Sequence, residues 1–162
     1  MIVELLNLKD DVAAADGESA TFFFEDLAEA SGAAAYALQH AHCVSVGDLC
    51  PEVARALPRT EMCVAVGSHT VAKFRDEEKS GARARNKVVV LLANLRLRDV
   101  GTDMLVTMYR TVEAGELSSS SAASMVGEGE GGAEETTETH PGLSQFVRML
   151  RTLTIRDMGL FG

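Results

Sequence analysis

The stretch Asn86 to Tyr109, NKVVVLLANLRLRDVGTDMLVTMY, limits most strongly what this chain can fold into. Val89, Leu91, Ala93, Leu95 and Leu97 share one parity and are all apolar, while the other parity runs Val88, Val90, Leu92, Asn94, Arg96, Arg98. A period of two marks a β-strand. A strand that is apolar on both faces at one end and on one face at the other belongs to a sheet covered on both sides for part of its length. The return segment repeats the pattern, with Met104, Val106 and Met108 set against Asp103, Leu105, Thr107 and Tyr109. Arg98 to Thr102 joins the two, with Gly101 supplying positive φ for an antiparallel hairpin. Arg96 and Arg98, near Asp99 and Asp103, read as a surface ion cluster on the polar end of this hairpin.

The flanking segments read as elements that pair with the hairpin or pack on it. Ile2 to Leu8 carries apolar residues at spacings that suggest an amphipathic helix, with no capping residue before it, as if further sequence normally preceded Met1. Ser19 to Ala30 reads as a helix, with Ser19 as its cap, Phe23, Leu27 and Ala30 on its apolar stripe, and Gly32 closing it; a strand through Phe22–Phe24 is the alternative. Ala33 to Val46 reads as a strand with Tyr36, Leu38, His40, His42 and Val44 on one face. Gly47 to Pro58 is a connection with one helical turn around Pro51 to Leu57. Met62 to Phe74 is another strand, with a bulge expected at Gly67. Asp76 to Arg85 is a charged turn. Pro141 opens a last helix whose stripe is Leu143, Phe146, Val147 and Leu150, and Thr154 to Gly162 ends apolar, with Ile155, Met158, Leu160 and Phe161, and is expected to dock. Strands joined by short turns imply antiparallel pairing, hence an α+β fold with helices from both ends of the sequence against one sheet.

Charge separates the folded body from an insert. The formal net charge is −9 over 162 residues, yet seven of the 24 acids and none of the 15 Lys and Arg lie between Thr111 and Val147. Residues 113–139 are low-complexity and acidic, so they read as a disordered insert in an otherwise single domain spanning 1–162. Such a balance argues against nucleic acid as a partner. No apolar run approaches the ~20 residues that cross a bilayer, so no membrane role is expected.

Little in the sequence suggests bond chemistry. GEGEGG sits in the acidic tract, where phosphate would be repelled. His40, His42 and Cys43, with Cys50 nearby, form the best metal-like group, but on a strand Cys43 points away from the two histidines. No metal, cofactor or catalytic residue is expected. An enzyme built on His40 and His42 would lack a nucleophile and an acid–base pair. Three cysteines without CxxC spacing suit buried thiols in a reducing compartment.

Five segments in order carry a family resemblance: IVELL at 2–6, FFFEDLAEASGA at 22–33, VGSHTVAKF at 66–74, LRLRDVGTDMLVTMY at 95–109 and FVRMLRTLTIRDMGLFG at 146–162. Together they resemble the Ran guanine nucleotide release factors, the Mog family. The resemblance implies a PsbP-like α/β/α sandwich around a central antiparallel sheet with helices on both faces. It also implies a monomer of nucleus and cytoplasm that binds the small GTPase Ran, promotes guanine nucleotide release and supports nuclear protein import, without being an enzyme. Glu4, Glu25, Asp26, Arg96 and Asp103 match family motifs as charged residues and are the implied Ran contacts. Arg98 stands where the family usually has proline, and His69 where it often has glutamine. The family's upstream section, with an acidic Ran-gripping segment, has no counterpart here, which implies weaker Ran binding than with that section restored. A PsbP-like scaffold without Ran binding is the alternative from another class.

Overall fold

Residues 1–13, 15–72, 85–112, 140 and 142–161 are described by the computed structural model. The expected charged turn from Asp76 and the acidic insert 113–139 lie outside these residues, apart from Arg85 at a strand end. Five strands form one antiparallel sheet: β1 (Ile2–Asn7), β2 (Ala35–Val44), β3 (Thr60–Ala72), β4 (Arg85–Leu97) and β5 (Thr102–Thr111), in spatial order β1-β5-β4-β3-β2. The β4–β5 hairpin is thus flanked on both sides, and its turn closes through Gly101 at φ 60°.

Helices cover both faces. α1 (Glu18–Ala30) lies on one, where Phe23, Phe24 and Ala20 pack on Cys63, Ala65, Val90, Leu92 and Leu105. The short helices α2 (Val46–Leu49) and α3 (Pro51–Ala56) and the later α4 (Leu143–Arg151) lie on the other, where Val53, Phe146 and Leu150 join Leu91, Leu95, Met104 and Val106. Alternate residues of each central strand therefore feed different cores, as the period-two pattern requires. This is the α+β sandwich expected from the sequence, with an antiparallel sheet at its centre. Of the apolar tail, Ile155 and Phe161 pack against the α4-side core, while Met158 and Leu160 stay exposed.

Several expectations are corrected. Ile2 to Asn7 is a strand paired to β5, with Ile2 opposite Thr107 and Leu6 opposite Asp103, and not a helix. Six residues form a poor isolated helix because nucleation is costly, whereas β5 offers a ready ladder. The missing N-terminal cap is then no anomaly, since a strand has none. Ser19 does not cap α1; Gly17 holds the cap position at φ 83°, and Ser19 is buried within the first turn. At Gly17 a Cβ would lie 2.6 Å from the backbone nitrogen of His42, so only glycine fits where the helix start meets β2.

The bulge lies on β2 rather than at Gly67. Leu38 pairs with Gly67 and His40 with Val66, so Gln39 is the extra residue. Tyr36 and Leu38 consequently face α1, while His40, His42 and Val44 face the opposite side, and the single-parity reading of this strand fails. Gly67 serves a different purpose. A Cβ there would sit 2.4 Å from Phe24 Cζ, so its bare backbone is the seat of the Phe24 ring.

Candidate functional site

The α1 face divides into a buried polar centre and an acidic rim. At the centre, Asp103 sits opposite Arg96 across the β4–β5 hairpin, and both are buried, at 0% and 1% exposure. Arg96 Nε donates to Asp103 Oδ1 at 3.1 Å and Asn94 Nδ2 donates to the same oxygen at 3.2 Å. Asp103 Oδ2 accepts from the backbone N–H of Lys9 at 2.8 Å. The far end of the Arg96 guanidinium donates to the carbonyls of Val12 and Lys9. The loop after β1 is therefore strapped down onto the polar end of the hairpin. The sequence pattern makes that end solvent-facing and this pair part of a surface cluster; the loop covers it instead. Only the outer charges remain at the surface, where Arg98 meets Glu61 at 2.8 Å and Arg59 meets Asp99 at 3.1 Å. Arg96 and Asp103 are thus buried and hold the loop that carries Asp10 and Asp11.

The rim is acidic. Between residues 9 and 29 stand Asp10, Asp11, Asp16, Glu18, Glu25, Asp26 and Glu29 against Lys9 alone, and all are exposed. Glu18, Phe22, Glu25 and Glu29 follow one another along a single line of α1, opposite its buried stripe. Phe22 and Glu25 are shared by two open depressions. One is bounded by Asp11, Val12, Asp16, Glu18 and Thr21, the other by Asp26, Ala28, Glu29, Ala33 and Tyr36. Phe22 and Tyr36, 36% and 50% exposed, give this face aromatic surface among its carboxylates. The Lys9 ammonium lies 5.7 Å over the Phe22 ring. Such a surface suits a cationic partner more than a small molecule. Glu25 and Asp26 thus stand on it together. Glu4 is also exposed but stands apart, opposite Leu105 on the outer strand β1.

Beneath α1 lies a group with no counterpart in the expected sites. His69 is fully buried, its ring 4.7 Å from that of Phe24 and 6.5 Å from that of Tyr36. Among the described residues no hydrogen bond of proper geometry reaches either ring nitrogen. Burial holds its pKa below the ordinary histidine range, and the nearby Phe24 backbone acts in the opposite sense. Its apolar neighbours on alternate positions disguise it in the sequence as a sheet residue like any other.

The sign of the consequence follows from linkage. A neutral buried imidazole binds fewer protons in the folded state than in the unfolded one, so its contribution is intact above the unfolded pKa of about 6.5 and is lost as pH falls below it. Unfolding free energies from urea titrations should fall as pH drops below about 6.5, by at most ~1.4 kcal/mol per pH unit from this group. His69→Gln should flatten that part of the profile. Parallel profiles for the two proteins would show that His69 is not the group responsible.

No group of three or more His, Cys, Asp or Glu is arranged to hold a metal among the described residues. No helix among them is long and apolar enough to cross a membrane. Cys43 is exposed on the edge strand, contrary to the expectation of buried thiols, while Cys50 and Cys63 are buried.

The strands and the acidic face fall within one family match. The model of the Ran-interacting Mog1 protein family matches residues 1–111, from the first strand to the last residue of β5. The chain belongs to the Mog1 family. The match spans the whole sheet, α1 and the Asp103–Arg96 pair, and it ends before α4. The resemblance read in the closing segment 146–162 lies beyond this match. Comparison with individual curated proteins gives no match.

Proposed function

We propose that this chain binds the small GTPase Ran through the acidic α1 face, promotes guanine nucleotide release, and by doing so supports nuclear protein import from the nucleus and cytoplasm. The match to a Ran-interacting family over residues 1–111 carries the reading. The exposed carboxylates flanking Phe22 supply a physical means: a surface of one sign attracts and orients a cationic partner surface before contact. Glu25 and Asp26 are the proposed direct contacts. Glu4, on the outer strand, is a peripheral one. Arg96 and Asp103 contribute by fixing the loop that carries Asp10 and Asp11.

No bond need be made or broken. Nucleotide release by a binding protein is a matter of linkage: if the chain binds Ran more tightly without nucleotide than with it, the nucleotide must bind Ran correspondingly less tightly in the complex. The test combines two readings with purified Ran. Calorimetry against GDP-bound, GTP-bound and nucleotide-free Ran should give measurable affinity, highest for the nucleotide-free form. Release of a fluorescent guanine nucleotide should accelerate with added protein. Glu25→Lys with Asp26→Lys should weaken binding by about tenfold or more, mainly through association rate, with a smaller salt dependence and an unchanged melting temperature. Absence of heat with every form of Ran at high micromolar protein defeats the reading. Binding without faster release would leave Ran as a partner and remove the release activity.

A further inference from the structure

Two cysteines face each other across the far edge of the sheet. Cys43 on β2 is directly opposite Cys63 on β3, and their Sγ atoms are 2.8 Å apart, though 20 residues separate them in sequence. Directly opposed residues of an antiparallel pair have Cα atoms about 4.5–5.5 Å apart, within the roughly 4.4–6.8 Å that a disulfide spans. A bond of about 2.05 Å therefore asks the sulfurs to close by less than an ångström, without moving either strand from its register. We infer that Cys43 and Cys63 form a dithiol site that peroxide converts reversibly to a disulfide.

The two thiols differ in a way that divides the work. β2 is an edge strand, and Cys43 is exposed on it, so an oxidant in solution reaches that sulfur directly. Cys63 is fully buried beneath the start of α1. Burial, and then the adjoining Cys43 sulfur, push its thiol up to about 12, while the Ser19 hydroxyl and the Gly17 backbone act in the opposite sense. Cys63 is poorly placed to meet peroxide but is already in contact with the atom that would.

In the first step the Cys43 sulfur attacks one peroxide oxygen. The O–O bond breaks, and the departing hydroxide takes up the thiol proton to leave as water. Cys43 is then a sulfenic acid. In the second step the Cys63 sulfur attacks the Cys43 sulfur, the S–O bond breaks, and the departing hydroxide leaves as a second water with the Cys63 proton. The two thiols give up two electrons in all, and peroxide is reduced to two waters. A small dithiol reductant reverses the change by exchange at the exposed Cys43 sulfur. The third thiol, Cys50, is buried in the opposite core and takes no part.

The experiment treats the full-length chain with hydrogen peroxide and follows intact mass, peptide mass and thiol count. The protein should lose two hydrogen masses, yield a linked peptide pair containing Cys43 and Cys63, and fall from three alkylatable thiols to one after denaturation. Dithiothreitol should restore all three. Cys43→Ser should abolish the mass loss, and Cys50→Ala should leave it intact. Because the bridge ties an edge strand to its neighbour, the oxidised protein should melt several degrees higher than the reduced one. If Cys43 instead gains oxygen while Cys63 remains alkylatable, the site is not a dithiol. Covalent dimers joined through Cys43 would overturn it equally. A bridged protein that melts no higher than the reduced one would show that the pair is not pre-positioned.

Discussion

Asp103→Ala should destabilise the fold by about 3–5 kcal/mol, read as a fall in the urea midpoint at unchanged slope. The size comes from what is left behind. Arg96 has almost no exposed surface, and Asp103 is its charge partner at 3.1 Å. Removing the carboxylate leaves a buried guanidinium with only the loop carbonyls of Lys9 and Val12, and an uncompensated buried charge costs several kcal/mol. The same substitution orphans the Lys9 N–H and the Asn94 amide, which both donate to this carboxylate. Asp103→Asn keeps the shape but not the charge and should fall between. Removing both partners, as Asp103→Ala with Arg96→Met, should cost less than the two single changes combined, because no buried charge then remains. Strict additivity would mean that the two side chains act independently, which their contact excludes. The loop they hold carries Asp10 and Asp11, so the single variant should also weaken the acidic face at temperatures where the protein remains folded.

This pair also shows where the sequence stopped being readable. Period-two alternation placed the β4–β5 hairpin, and the spacing of Phe23 and Leu27 placed α1, because both patterns are local and span whole elements. The same alternation marked Arg96 and Asp103 as outward-facing, and so they are with respect to the sheet. What covers them is a loop far away in sequence, and nothing in Lys9 to Val12 announces that its backbone carbonyls will meet a guanidinium. β1 failed for a related reason. Ile2, Val3, Leu5 and Leu6 fit a helix stripe and a strand equally well, and the choice was made by the open edge of β5. On β2 the alternation of Tyr36, Leu38, His40 and His42 was real, but a bulge at Gln39 moved half of it to the other face. The Cys43–Cys63 contact depends on that register as well. The acidic rim was partly legible, since Glu25 and Asp26 are exposed as expected; its continuity with Asp11, Asp16 and Glu18 depends on the loop being strapped beside α1.

Phe146→Ala should cost about 3–5 kcal/mol, and Leu150→Ala about 2–5 kcal/mol, although α4 follows the family match and the undescribed insert. Phe146 and Leu150 are 3% and 1% exposed, one turn apart on the same side of α4, and they enter the core built by Leu91, Leu95, Met104 and Val106. Without α4 those sheet residues would face water over one side of the central hairpin, and roughly 25 cal/mol would be forfeited for each Å² exposed. The helix is too short to persist alone, so its order depends on this packing. Its position is also fixed from the N-terminal side. Gly142 adopts φ 86°, and a Cβ there would sit 2.5 Å from Arg110 Cδ and 2.9 Å from Met108 Cε, so the chain enters α4 pressed against the end of β5. Equilibrium unfolding of the two variants checks the expectation, and a loss confined to far-ultraviolet helix signal would separate local detachment from global destabilisation. A near-neutral result for both would mean that α4 is a detachable arm and that the five strands with α1 form a sufficient core. A cooperative loss of the stated size would make α4 the second half of the sandwich, as necessary to the sheet as α1 is on the opposite face.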